Sequence, residues 1–189
     1  QQNIEGSYNE IRNSEISNSY TSGIHITGDH NYVINNYIHD VDFIASNKHA
    51  GIILNGSGHL ISHNTVCRGA SGMLMGTFDS SVIQYNNIYD ACMLTEDIGI
   101  VYLGNGDYGN SEFHHNWIHD NKSRSIPNAG GFYTDNYTSN IIFYKNVLWN
   151  TPFNQFMLNA PYNFNLFYNN TTYNKSNLGS QYMENTYGS

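Results

Sequence analysis

The chain has 189 residues, the size of one domain, and a formal net charge of −8 with only 7 Lys and Arg, which excludes the clustered cations that nucleic-acid binding requires. Its 30 Asn, 17 Gly and 16 Tyr stand against 12% charged residues, a set of poor or middling helix formers that excludes a helical bundle. Aromatic residues at 14% are a packing composition and argue against disorder, and no apolar run approaches the ~18 residues of a transmembrane helix.

Taken in chain order, one short pattern recurs: apolar, two residues, Asn, any residue, apolar, any residue, Asp or Asn. It begins weakly as Ile11–Ser14–Ile16–Asn18 and becomes clear at Val33–Asn36–Ile38–Asp40. Ile61–Asn64–Val66–Arg68, Ile83–Asn86–Ile88–Asp90, Phe113–Asn116–Ile118–Asp120 and Phe143–Asn146–Leu148–Asn150 follow, with a weak last copy at Phe167–Asn170–Thr172–Asn174. The anchors are spaced 22, 28, 22, 30, 30 and 24 residues apart. A second signature precedes each later anchor: Gly23-Ile-His-Ile, Gly51-Ile-Ile-Leu, Gly72-Met-Leu-Met, Gly99-Ile-Val-Tyr, Gly131-Phe-Tyr-Thr and Gln155-Phe-Met-Leu.

Stretches of this kind, bounded by Gly, Asn, Asp and Ser, are strand and turn language. A variable period of 22 to 30 residues predicts coils of three short strands, with insertions in the turns. About six to seven such coils make an all-β right-handed parallel β-helix over residues 1–174, with 175–189 as a tail or cap. Propeller blades are longer, at roughly 40 residues, and the regular Thr ladder of an ice-binding solenoid is missing. The anchor Asn is expected at the bend, where it tolerates left-handed φ and its amide bonds to the neighbouring coil. Aligned on the glycines, Ile24, Ile52, Met73, Ile100 and Phe132 share one face of their strand, and His25, Ile53, Leu74, Val101, Tyr133 and Met157 the other. Both faces are largely apolar, so the outer one is expected to meet a missing domain or partner chain, or to line a substrate groove. Residues 1–10 show no signal-peptide pattern, which suggests a mature or excised chain. Cys67 and Cys92 admit one disulfide or two buried thiols.

Carboxylates fall into three sets. The column Asn18, Asp40, Asp90, Asp120, Asn150 and Asn174 sits at every bend and reads as turn chemistry. Asp79, Asp107 and Asp135 leave successive strands of the Gly-Ile type. Glu96 and Asp97 enter one, with Lys48 and His49 two coils earlier and Lys122 and Arg124 in the following loop. Two carboxylates flanking a sugar linkage hydrolyse it when roughly 5 to 9.5 Å apart. A lyase instead needs a base and a cation for a uronate, and basic residues are scarce. Tyr102, Tyr108, Tyr133, Tyr137, Trp117 and Trp149 offer faces for sugar rings. Tyr108 and Tyr137 lie in predicted turns and are the expected platforms, whereas Trp149 is expected in ladder packing. No zinc spacing is present. Calcium, bound by Asp and Asn oxygens, is the one cofactor the composition leaves open.

Thr95-Glu-Asp-Ile-Gly-Ile-Val-Tyr102 and Phe113-His-His-Asn-Trp-Ile-His-Asp120, extended by Gly130-Gly-Phe-Tyr-Thr-Asp-Asn136 and Phe143-Tyr-Lys-Asn-Val-Leu-Trp-Asn150, resemble the right-handed parallel β-helix proteins of the pectin-lyase-like superfamily. The likeness covers about residues 10 to 175 and is nearest the β-helical glycoside hydrolases described as α-fucosidases or xylanases. It implies a secreted enzyme acting on a plant or algal polysaccharide or oligosaccharide, with acid and base roles on Asp97 and Asp135. Glu96 joins them as a catalytic candidate. Asp79, Asp107, His49, Tyr108, Tyr133, Tyr137 and Arg124 are the substrate-binding candidates. No metal, nucleic acid or membrane is expected. A uronate lyase or epimerase, or a non-catalytic solenoid adhesin, filament or glycan-binding scaffold, is the alternative. On straight strands Asp97 and Asp135 lie roughly 20 Å apart. Either the entrance loop folds back, or Asp135 pairs with Asp107 or Asp79, and Asp97 with Glu96 or His49.

Overall fold

The computed structural model describes residues 1–124, 129–152, 154–159, 161, 163–173 and 182–183. Among them every regular element is a strand, and the strands form three parallel sheets. Sheet A holds β1 (Gln2–Glu5), β4 (Ile24–Thr27), β7 (Ile52–Ser57), β10 (Leu74–Asp79), β13 (Ile98–Leu103), β16 (Ala129–Thr134), β19 (Asn154–Leu158) and β22 (Tyr182–Met183). Sheet B holds β2 (Glu10–Arg12), β5 (Tyr32–Ile34), β8 (Leu60–Ser62), β11 (Val82–Gln84), β14 (Gly106–His114), β17 (Thr138–Tyr144) and β20 (Leu166–Tyr168). Sheet C holds β3 (Glu15–Ser19), β6 (Tyr37–Val41), β9 (Thr65–Gly69), β12 (Asn87–Ala91), β15 (Trp117–Asn121), β18 (Val147–Trp149) and β21 (Thr171–Tyr173). Each turn of chain adds one strand to each sheet, so the described chain is a parallel β-helix of seven coils with β22 above β19. The remaining residues of the expected tail, 175–181 and 184–189, lie outside the described residues, as does Asn174.

The bend from sheet B to sheet C explains the anchor. Asn36, Asn64, Asn86, Asn116 and Asn146 are buried one above another. The Oδ1 of Asn86 accepts the backbone N–H of Asn64 at 2.9 Å, and its Nδ2 donates to the Ile61 carbonyl at 2.9 Å and to Asn116 Oδ1 at 3.0 Å. The same bonds repeat from Asn36 to Asn170. A buried bend thereby has its polar groups paired between coils. The left-handed φ belongs to the residue before each anchor, not to the anchor as expected from sequence: Asn35, His63, Tyr85, His115, Lys145 and Asn169 lie between 53° and 58°. That reversal leaves the asparagine side chain pointing inward. The Asp/Asn column does adopt left-handed φ, at Asn18, Asp40, Asp90, Asp120 and Asn150. Arg68 shares the column and forks onto Asp40 at 2.9 and 2.8 Å, holding that carboxyl down to about 2.

The bend from sheet A to sheet B carries a second ladder that no single residue type marks. Asn9 N–H donates to Asn31 Oδ1 at 2.9 Å, Asn31 N–H to His59 Nδ1 at 3.3 Å, His59 N–H to Ser81 Oγ at 2.9 Å and Ser81 N–H to Ser111 Oγ at 3.0 Å. His59 is buried there, and burial lowers its pKa below the ordinary value, so the ring serves as a neutral acceptor. Inside the helix, Ile24, Ile52, Leu74, Val101 and Phe132 stack in register across sheet A. The outward column is His25, Ile53, Met75, Tyr102, Tyr133 and Met157. Glycine alignment therefore misplaces coils four and five by one residue: Leu74 and Val101 face in, and Met75 and Tyr102 face out. The hydrogen bonds Ile52 N–H to Met73 O and Met73 N–H to Ile100 O fix this register. Gly99 pairs with Gly130, so the glycines of neighbouring coils do not all share one level.

Asn86→Ala removes four buried hydrogen bonds and leaves donors without partners, so it is expected to destabilise the fold by about 2–4 kcal/mol in urea unfolding. Asn3→Ala, at an exposed position of β1, is expected to change it by under ~0.5 kcal/mol.

Candidate functional site

Asp97 and Asp135 sit at opposite ends of sheet A. Asp97 is exposed, has a φ of 54° and precedes β13. Asp135 is half-buried and follows β16. Between them the outward column places Tyr102 and Tyr133 side by side, their rings edge to face at 5.1 Å and 88°. Tyr133 Oη donates to Asp97 Oδ1 at 3.3 Å and accepts from Asn159 Nδ2 at 2.9 Å. Asn159 Nδ2 also donates to Asp135 Oδ1 at 3.2 Å, and Tyr102 Oη to Asp135 Oδ2 at 2.8 Å. Those three links through Tyr133 and Asn159 cap the Oδ1–Oδ1 separation of the two aspartates at roughly 9 Å. The straight-strand expectation of 20 Å is thus corrected. The turn at Asp97 folds its carboxylate back toward the strand, and the tyrosine closes the remaining gap.

The electrostatics divide the cluster into donors and an acceptor. Burial raises the pKa of both tyrosines, Tyr102 and Tyr133, and the neighbouring carboxylates raise it further, so both hydroxyls keep their protons. Burial alone would raise Asp135. Hydrogen bonds from Tyr102, the Asn136 backbone N–H and Asn159 outweigh it and bring the carboxyl below its ordinary value. Asp135 is therefore a carboxylate at neutral pH. Asn159 was not legible as part of the site. The signal is positional: Asn159 N–H bonds to Thr134 O as Asp135 N–H bonds to Leu103 O, so the two residues share one rung position in successive coils.

The other candidates do not join this cluster. Asp79 accepts from Ser57 Oγ at 2.6 Å, and Asp107 from Gly109 N–H at 2.9 Å and Asn140 Nδ2 at 2.8 Å. Asp79 is thus tied to the coil before it, and Asp107 to its own turn and to the coil after it. Those bonds from Gly109 and Asn140 also lower the Asp107 pKa. His49 Nδ1 lies 3.2 Å from Asp42 Oδ1, which clips its own loop. Tyr108, expected as a platform in a turn, is 1% exposed and packs in the core. Its hydroxyl donates to the Gly76 and Gly104 carbonyls at 3.0 and 3.1 Å, because β14 runs nine residues and carries Tyr108 inward. Tyr133 is a hydrogen-bonding centre with 3% exposure, so its face is closed to a sugar. Tyr137 is 60% exposed, two residues past Asp135. Glu96 and Arg124 share a separate hollow of about 170 Å³ with Met93, Leu94 and Thr95. Trp149 stacks on His119 at 3.9 Å, as its ladder position predicts. Cys67 and Cys92 are buried free thiols. Among the described residues no three His, Cys, Asp or Glu side chains are grouped to hold a metal ion.

Repeat pattern, three parallel sheets and coil count agree with comparison to known families. The chain belongs to the family described as right handed beta helix region, whose model matches residues 3–148 and again 50–188. No curated protein and no solved structure matches the chain.

A carboxyl whose folded pKa is lowered stabilises the fold above its unfolded value, and that contribution is lost as pH falls through the folded one. Asp135 is in this position. Tyr102→Phe removes a donor, so the Asp135 carboxyl is expected to titrate at higher pH in carbon-13 NMR. The acid limb of the urea stability curve, below about pH 4, is expected to flatten.

Proposed function

We propose that this right-handed β-helix is a glycoside hydrolase whose Asp97 and Asp135 flank the scissile bond of a polysaccharide. The observation that carries the reading is the convergence of two carboxylates from opposite ends of sheet A on one Tyr133–Asn159 pair. The hydrogen bonds that lower the Asp135 pKa keep it a carboxylate, the form in which it takes a proton from water. Asp97, the other carboxylate of the pair, takes the acid role by its place across the Tyr133–Asn159 link from Asp135, where it would give a proton to the leaving oxygen. Water then forms the new bond to the anomeric carbon as the glycosidic C–O bond breaks. In this reading the water lies beside Asp135 on the substrate side, and a carboxylate separation of no more than roughly 9 Å is compatible with an inverting pair. Tyr137 offers an open ring beside Asp135 against which a sugar can rest.

A uronate lyase fits less well. The tyrosines of the cluster have raised pKa values, and among the described residues no Lys or Arg is hydrogen-bonded within it to neutralise a uronate. The fold also suits a glycan-binding scaffold without catalysis, for which exposed Tyr137 is the supporting feature. A polymeric glycan is met outside the cell, so the hydrolase reading carries a secreted protein with it.

Asp97→Asn and Asp135→Asn are each expected to lower reducing-sugar release from a polysaccharide panel by about 100-fold or more while both variants stay folded at the assay temperature, Asp135→Asn with the lower melting point of the two. Full activity in both variants would remove the site. An unaltered chain inactive on every glycan would remove the hydrolase and leave the scaffold.

A further inference from the structure

The outside of the bend from sheet B to sheet C carries the left-handed residues that precede the asparagine ladder. His63, Tyr85 and His115 stack there face to face, with centroids 5.0 and 4.9 Å apart. Lys145 takes the next position and ends the stack with a cation. Two residues further along each coil, sheet C turns Asn87, Trp117 and Val147 outward in register. The two columns wall a groove of about 500 Å³ lined by Tyr85, Asn87, His115, Trp117, Lys145 and Val147.

Ladder packing accounts for the neighbouring rings but not for this groove. His119 is covered on both sides, by Tyr89 at 4.9 Å and Trp149 at 3.9 Å. Trp117 meets Trp149 only edge to face, at 6.3 Å and 68°, and stays 56% exposed. Among the described residues no ring stacks on its face. The free polar groups beside it are donors. Asn87 Oδ1 engages His119 Nε2 at 2.9 Å, which leaves its Nδ2 without a protein partner among the described residues. Lys145 has no ion pair there either, and no carboxylate lines the groove. The chain as a whole repels anions, with a net charge of −8, and this groove, with one lysine and no carboxylate in its lining, is a local surface where that repulsion is relieved and an anion finds a cation. An open indole beside donors favours a flat, oxygen-rich ring.

We propose that this groove binds an acidic polysaccharide, with one sugar face stacked on Trp117 and its carboxylate or sulfate on Lys145. The site lies on the B–C bend, away from the Asp97–Asp135 cluster on sheet A, and does not depend on hydrolysis. It would hold a polymer along the coil stack whether or not the chain cleaves it.

The test titrates the full chain with oligogalacturonate, dextran sulfate and neutral xylo-oligosaccharide, reading tryptophan fluorescence and calorimetry. At least one acidic probe is expected to bind and the neutral one to bind much more weakly. Trp117→Ala is expected to weaken binding by about tenfold or more. Lys145→Gln is expected to weaken it several-fold and reduce its salt dependence. Both positions are exposed, and unchanged melting curves confirm folding. Asp135→Asn is expected to bind as the unaltered chain does, which separates this site from the proposed active site. Preference between the acidic probes identifies carboxylate or sulfate as the anion. Failure of all three probes, equal affinity for the neutral one, unchanged binding in Trp117→Ala, or loss in Asp135→Asn would each overturn the proposal.

Discussion

One buried amide per coil holds the rest of the structure in place. Short strands of two to nine residues bury little surface individually, and a parallel sheet stacked about 4.8 Å per rung gains stability only when successive coils keep register. The asparagine at the B–C bend enforces that register because its amide has two distinct ends. Oδ1 takes the N–H of the preceding anchor, and Nδ2 takes a carbonyl one coil back. A shift of one residue would leave both groups buried and unpaired, which is costly in an apolar interior. The A–B bend repeats the device with less regular chemistry, using Asn31, His59, Ser81 and Ser111 in turn.

With the B–C bend locked, variation falls at the other two, as the longer β14 with its register shift on the A–B side and as the turns from sheet C to sheet A. The turns from sheet C to sheet A carry the exposed apolar residues Phe43, Ile44, Met93 and Leu94, and also Glu96 and Asp97. These turns can differ in length because they carry no continuous ladder. The proposed site follows from that division: a rigid sheet fixes Tyr102 and Tyr133, and a variable turn brings Asp97 onto them. The aromatic groove on the opposite bend has the other origin. It is a ladder interrupted, where Lys145 follows the stacked rings His63, Tyr85 and His115, and where Trp117 stands between Asn87 and Val147 with no ring above or below it in its column.

Much of this was readable from the residues. The Asn spacing located the seven coils, the Asp/Asn column located left-handed turns, and Trp149 was placed in a ladder. What failed did so for physical reasons. Gly72 and Gly99 look like rung markers, yet hydrogen bonding aligns Met73 and Ile100 with Gly51, which turns Met75 and Tyr102 outward. Tyr108 sits among Gly and Asn like a turn residue, but β14 continues through it, with a register shift between Asp107 and Ser111. His59 and Ser81 share a ladder role that their side chains do not advertise. Asn159 could be recognised only once Leu158 was known to pair with Thr134.

The most direct test of the account is a crystal structure of Asp97→Asn soaked with an oligosaccharide that the unaltered chain cleaves. The account predicts a glycosidic oxygen between residue 97 and Asp135, on the solvent side of the Tyr133 hydroxyl, with the side-chain oxygens of residues 97 and 135 under about 10 Å apart. Sugar bound away from sheet A, or the two side chains on separate walls with no tyrosine between them, would contradict it.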